Sequence, residues 1–220
     1  GDGSYTFTLL GNLDHPRGAG ANSLDLTFNY TATDSDGDTS PNTFTVTVID
    51  DVPTAGQVIS NNTPVDEAAL LTSDPSDNRI SGDINDGLTA NGEVLFGADG
   101  YKAGSLTFDG TSGQPELTSQ GAAVHYVIVG NILYGYTGNA PAAGHAPVSS
   151  RQVFTLELDP ATGGYSFTLK APLDHVQSGN PVEDLTLDFK LAAQDGDGDQ
   201  VAFTLNLDVH DTVPTAAGGD

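Results

Sequence analysis

The sequence predicts an all-β protein, an antiparallel β-sandwich of immunoglobulin-like type. Three observations point there. Apolar residues alternate with Ser and Thr over many short stretches, the period of a strand with one buried and one wet face. The 27 glycines and 12 prolines punctuate the chain at the spacing of turns between strands. No stretch shows convincing amphipathic helical periodicity; Val65–Leu71 is the best candidate and is short.

Taken in order, Tyr5, Phe7 and Leu9 alternate with Ser4, Thr6 and Thr8. Leu24, Leu26 and Phe28 follow the same rule, as do Phe44, Val46 and Val48 between threonines. The stretches Leu106–Phe108, Val124–Val129, Ile132–Tyr136 and Val153–Leu158 read as further strands. Near the end come Gly164–Leu169, Leu185–Phe189 and the alternation of Leu205, Leu207 and Val209 with Asn206 and Asp208. Pro53 and Pro214 each stand just past a strand; lacking an amide to continue a ladder, they mark module boundaries.

The two ends of the chain repeat each other. Tyr5-Thr6-Phe7-Thr8-Leu9 and Leu13-Asp14-His15 return as Tyr165-Ser166-Phe167-Thr168-Leu169 and Leu173-Asp174-His175. The loop Asp34-Ser35-Asp36-Gly37-Asp38 returns as Asp195-Gly196-Asp197-Gly198-Asp199, and Val-Pro-Thr-Ala closes both copies at 52–55 and 213–216. The order is kept at an offset of 160 to 161 residues (Tyr5 to Tyr165, Asp34 to Asp195). Residues 1–54 therefore read as the C-terminal part of one repeat and 55–220 as a complete module. Residues 1–54 hold too few strands for a sandwich, so whether they pack with the next module as one domain stays open.

Six basic residues face thirty acidic ones, a net charge of −24. Five acids are glutamates (67, 93, 116, 157 and 183) and the rest aspartates. A field of this sign repels phosphate backbones and anionic lipid, so nucleic acid and membrane surfaces are poor candidates as partners. No apolar run approaches the roughly 18 residues of a membrane span. The chain opens on Gly1-Asp2-Gly3 with no signal-peptide pattern, as an excised fragment would. Without cysteine there are no disulfides and no thiolate metal sites.

In the two aspartate loops, carboxylates alternate with Ser or Gly, which allows sharp turns and aims several side chains at one point. Bare, each like-charged pair costs about 1 kcal/mol at 4 Å even in water. Ca2+ takes roughly six to eight oxygens at about 2.3–2.6 Å and relieves that repulsion. The loops are not EF-hands. Counting from Asp34, Thr39 and Thr45 stand where that loop needs Gly and Glu. Asp34, Asp36 and Asp38, with Asp195, Asp197 and Asp199, are therefore candidate calcium ligands. Asp50 and Asp51 beside one boundary, Asp211 beside the other, and Asp66 and Glu67 just after the first, complete the set. The ion belongs either at a junction between modules or inside one module; both stay open. Asp14 and Asp174 are further candidate oxygens, and His15 and His175 read as packing or hydrogen-bonding residues, since tandem repetition argues against catalysis.

The quoted motifs closely resemble the type I secretion repeat domain of very large RTX-type adhesins of Gram-negative bacteria. So do Val65-Asp66-Glu67, Phe96-Gly97-Ala98-Asp99-Gly100 and Leu133-Tyr134-Gly135-Tyr136-Thr137-Gly138. The resemblance covers most of the chain. It implies type I secretion, a cell-surface location, folding in millimolar calcium, and a part in attachment or biofilm formation.

On this reading the chain is a calcium-stabilised extender, a monomer whose partners are neighbouring repeat modules of the same chain. The alternative is a calcium-dependent module that binds a host or surface glycan or peptide through aromatics such as Tyr101, Tyr126, Tyr134 and Tyr136. An enzyme is not expected. Nothing singles out one pair of aspartates, and Gly110-Thr-Ser-Gly-Gln114 fails as a nucleophile elbow.

Overall fold

The computed structural model describes residues 3–17, 20–55, 59–72, 78–84, 94–175 and 184–211, without the side chains of 59–62. It is built of strands: β1 (Ser23–Thr33), β2 (Thr39–Ile49), β3 (Thr54–Ala55), β4 (Ile59–Asp66), β5 (Arg79–Asp83), β6 (Val94–Leu95) and β7 (Thr107–Phe108). There follow β8 (Thr118–Ser119), β9 (Ala122–Val129), β10 (Ile132–Thr137), β11 (Gln152–Asp159), β12 (Gly164–Leu169), β13 (Asp184–Gln194) and β14 (Gln200–His210). Helical structure among the described residues is limited to 3-10 turns at Glu67–Leu71 and Ser149–Arg151. The stretch 65–71 thus splits into a strand end and one such turn.

Six strands form one sheet in the order β5-β12-β11-β10-β9-β8, all antiparallel. Four form a second, β4-β14-β13-β7. Its β4–β14 edge is parallel, an exception to the antiparallel architecture the sequence predicts. The connection between the two strands spans most of the chain, long enough for a parallel pairing that no hairpin could make.

The sheets share one core. Phe154 and Phe167 of the six-stranded sheet meet Phe189 of the four-stranded one, with ring centroids 5.7 and 6.0 Å away. All three rings are fully buried with Leu133, Leu156, Leu187, Leu205 and Leu207. The alternation that announced these strands is realised residue by residue. Along β14, Val201, Phe203, Leu205, Leu207 and Val209 point inward while their neighbours reach the surface.

The repeat is structural as well. β1 pairs with β2 over eleven positions from Ser23↔Ile49 to Thr33↔Thr39, and β13 with β14 from Asp184↔His210 to Gln194↔Gln200. Every pair is displaced by the same 161 residues (Ser23 to Asp184, Ile49 to His210). The environments differ. Phe189 and Leu191 are fully buried, whereas their counterparts Phe28 and Tyr30 are 38% and 45% exposed.

Residues 4–9, read from the sequence as a strand, are not one here. Their counterpart β12 is hydrogen-bonded between β11 and β5. No corresponding strands stand beside residues 4–9 among the described residues, and alternation without a partner makes no ladder. Instead Tyr5 stacks on Phe44 at 4.2 Å and Phe7 tilts against Phe28 at 6.0 Å, an aromatic face open to solvent. Pro53 is buried between β2 and β3; Pro214 and the second Val-Pro-Thr-Ala lie outside the described residues.

Candidate metal centre

Both aspartate loops fold alike, and the sequence explains how. In each, the first aspartate turns its Oδ1 inward to accept two backbone amides. Asp34 takes Gly37 and Asp38 at 3.1 and 2.9 Å, and Asp195 takes Gly198 and Asp199 at 3.0 and 2.8 Å. The backbone amide of the first aspartate donates to the carbonyl of the last, at 3.0 and 3.1 Å. Gly37 and Gly198 both sit at φ +102°, in the region that glycine enters without strain. The turn groups the carboxylates of Asp34, Asp36 and Asp38 in the first copy and those of Asp197 and Asp199 in the second.

What surrounds the two loops differs. Asp34, Asp36 and Asp38 are exposed and group their carboxylates alone. Hydrogen bonding to the Asp36 side chain, then to the Asp38 amide, holds the Asp34 carboxyl below the usual carboxylate range. Asp195, Asp197 and Asp199 are 1%, 6% and 5% exposed. The loop is covered by the end of β2 and the segment before β1. Asp50, 6% exposed, places a carboxylate oxygen within 4.8 Å of those of Asp197 and Asp199. The Gly20 amide donates to Asp199 Oδ1 at 3.1 Å, and Asn22 Nδ2 donates to Asp50 Oδ2 at 3.1 Å. The repeats therefore meet carboxylate to carboxylate, the end of the first on the loop of the second.

This cluster is deficient in donors. Asp195 Oδ2, both oxygens of Asp197 and Asp199 Oδ2 are buried with no hydrogen-bond partner among the described residues. Burial first, and then the Asp197 side chain beside it, pushes the Asp195 carboxyl up to about 6. Burial, followed by the Asp197 charge, raises that of Asp50. The orphaned oxygens of Asp197 and Asp199, grouped with Asp50, are costly unless a cation lies among them. An oxygen-only set of this kind suits a hard divalent ion, and the residues present fit Ca2+.

A second group shares Asp50 and adds Asp51 and Asp99. Asp51 Oδ2 accepts the Ala98 amide at 2.8 Å, and Asn12 Nδ2 donates to Asp99 Oδ1 at 2.9 Å. Gly97 sits at φ +66°, and a Cβ there would lie 1.9 Å from Asp51 Oδ2. Gly196 is equally constrained, since its Cβ would lie 2.7 Å from the Asp99 carbonyl oxygen. In the exposed loop the equivalent position is Ser35. Asp99 was not among the ligands expected from the sequence. Its signal was the Phe96-Gly97-Ala98-Asp99-Gly100 turn, whose Gly97 lets the loop approach so closely.

The other candidates divide. Asp66 is exposed and caps the turn 67–71 by accepting the Ala68 amide at 2.8 Å; it joins none of the carboxylate groups. Glu67 and Asp211 do not lie with Asp50 and Asp51 but form a separate group with His175. Asp174 accepts the Gly121 amide at 2.8 Å. His15 is buried with Nδ1 3.1 Å from Asn22 Oδ1, a hydrogen-bonding role as the repetition suggested. Of the tyrosines, Tyr101 donates to the Pro160 carbonyl at 2.6 Å and Tyr126 to that of Pro115 at 2.5 Å. Burial raises both phenols, and Tyr136 is buried.

A family model described as Domain of unknown function (DUF5801) matches residues 62–208. Neither the curated proteins nor the solved structures contain a match.

Proposed function

The chain belongs to the DUF5801 family, and we propose that it is a calcium-rigidified structural module of a secreted RTX-type adhesin. Its fold is read as an immunoglobulin-like β-sandwich, and its work is length, stiffness and presentation. The observation that carries this is the buried Asp50–Asp197–Asp199 cluster with its orphaned oxygens. It draws ligands from two successive repeats, so a calcium ion there ties one repeat to the next. Of the two places left open by the sequence, the junction is the one these contacts favour. Export by type I secretion and a part in surface attachment and biofilm formation come from the motif resemblance.

The exposed aromatic face fits the same reading. Tyr5, Phe7, Leu9 and Phe28 are open here, whereas Tyr165, Phe167, Leu169 and Phe189 are buried against strands of residues 79–159. In a tandem array the counterparts of those strands, supplied by a preceding module, would cover residues 1–54. The alternative, a glycan- or peptide-binding module, draws on that open face as well. Saturable binding at micromolar affinity on a glycan array or in a peptide pulldown would favour it.

The decisive experiment is a melting curve taken in calcium and in chelator. Binding energy available only to the folded state raises the transition. A melting temperature unchanged by chelation would remove the calcium reading.

A further inference from the structure

We propose that Glu67, His175 and Asp211 form a second metal site, one that takes a borderline first-row divalent ion of the zinc class instead of calcium. The site shares no residue with the aspartate cluster, and its donor set differs by one imidazole. Glu67 arrives on the turn after β4, His175 on the segment after β12, and Asp211 at the end of β14.

The geometry is that of ligands short of an ion. The Glu67 and His175 side chains are only 5% and 9% exposed. Glu67 Oε1 accepts the Leu173 amide at 2.7 Å, which fixes the carboxylate. His175 Nε2 lies 3.5 Å from the same oxygen, too far for a good N–H···O hydrogen bond. Neither ring nitrogen of His175 has a hydrogen-bond partner among the described residues. A buried imidazole satisfied at neither nitrogen is rare and costly. Two ligands about 2.1 Å from one tetrahedral ion stand about 3.4 Å apart. The Glu67–His175 separation matches that edge, and the Asp211 carboxylate lies within 4.8 Å of both.

His15, its repeat counterpart, shows the contrast. There the imidazole faces Asn22 Oδ1 and the amide bridges on to Asp50, so nitrogen and carboxylate are served without a metal. Calcium prefers oxygen throughout, whereas imidazole with two carboxylates is a zinc-type set that leaves one position for water. A zinc ion here would clasp the turn after β4 to the ends of β12 and β14.

The test is zinc chloride titrated calorimetrically into the untagged 220-residue chain held in excess calcium. One zinc equivalent is expected to remain under calcium saturation. It should disappear in His175→Gln and weaken by an order of magnitude in Asp211→Asn, whose ligand is less buried should the first variant fold poorly. His210→Gln should leave it intact, because the exposed His210–Asp184 pair is the obvious adventitious competitor. X-ray absorption of the zinc-loaded chain should show a nitrogen ligand among oxygens. Displacement of zinc by calcium, or an equivalent that survives both His175→Gln and Asp211→Asn, overturns the proposal. The calcium-dependent melting shift, read in the same samples, reports on the aspartate cluster separately.

Discussion

Asp50, at the end of β2, and Asp197, in the loop between β13 and β14, are both 6% exposed, and their carboxylate oxygens lie within 4.8 Å of each other. Two like charges brought together across the repeat and removed from water cannot persist bare without a large cost. From that relationship comes the first expectation. Asp197→Asn in calcium should melt close to wild type in chelator, whereas Asp36→Asn, in the exposed loop, should leave the transition nearly unchanged. Scanning calorimetry of the two variants with and without chelator decides it. Equal shifts in both would contradict a buried junction ion.

The metal-free protein should gain stability as the pH falls. The Asp195 carboxyl is raised from 3.8 to about 6, chiefly by burial, so the folded state binds a proton more readily than the unfolded chain. That contribution is fully present below about pH 4 and is lost as the pH rises through about 6. In chelator the melting temperature should therefore be higher at pH 5 than at pH 7, with a flatter profile in Asp195→Asn. In calcium the order should reverse, because the ion binds the deprotonated carboxylates.

Phe28 and Phe189 hold the same place in the two repeats and should respond unequally. Phe189→Ala removes a fully buried ring and should cost about 3–5 kcal/mol. Phe28 is 38% exposed and held mainly by stacking on Phe44 at 5.2 Å, so Phe28→Ala should cost about 1 kcal/mol. Denaturant titration of each variant measures this. In a two-module chain that adds the preceding repeat, the Phe28 cost should rise toward that of Phe189.

Gly97→Ala should weaken calcium binding. The added methyl would meet Asp51 Oδ2 at 1.9 Å and hold an L-residue at φ +66°, costing about 1–3 kcal/mol in strain. Gly100→Ala, at φ +68° with nothing within 4 Å, supplies the strain without the collision. A calcium titration followed by melting should show a larger loss of affinity in the first.

Much of the fold was legible in the residues. Alternation located the major strands of the core, because a strand's side-chain period is a local property of the backbone. It misread residues 4–9, since β12 is a strand only by virtue of its neighbours β11 and β5. The parallel edge between β4 and β14 was equally out of reach, as pairing across so long a connection leaves no local mark.

The same boundary runs through the site. Sequence alone determined that Asp34, Asp36 and Asp38 would turn on themselves as Asp195, Asp197 and Asp199 do, because Asx hydrogen bonds and a glycine at φ +102° act over five residues. Only the tertiary structure decided that Asp50 would close over the second loop and leave the first in water, that Asp99 would join, and that Glu67 would face His175. Desolvation is the reason. A carboxylate's surroundings, and so its need for a cation, are set by chain segments that sequence neighbours do not specify.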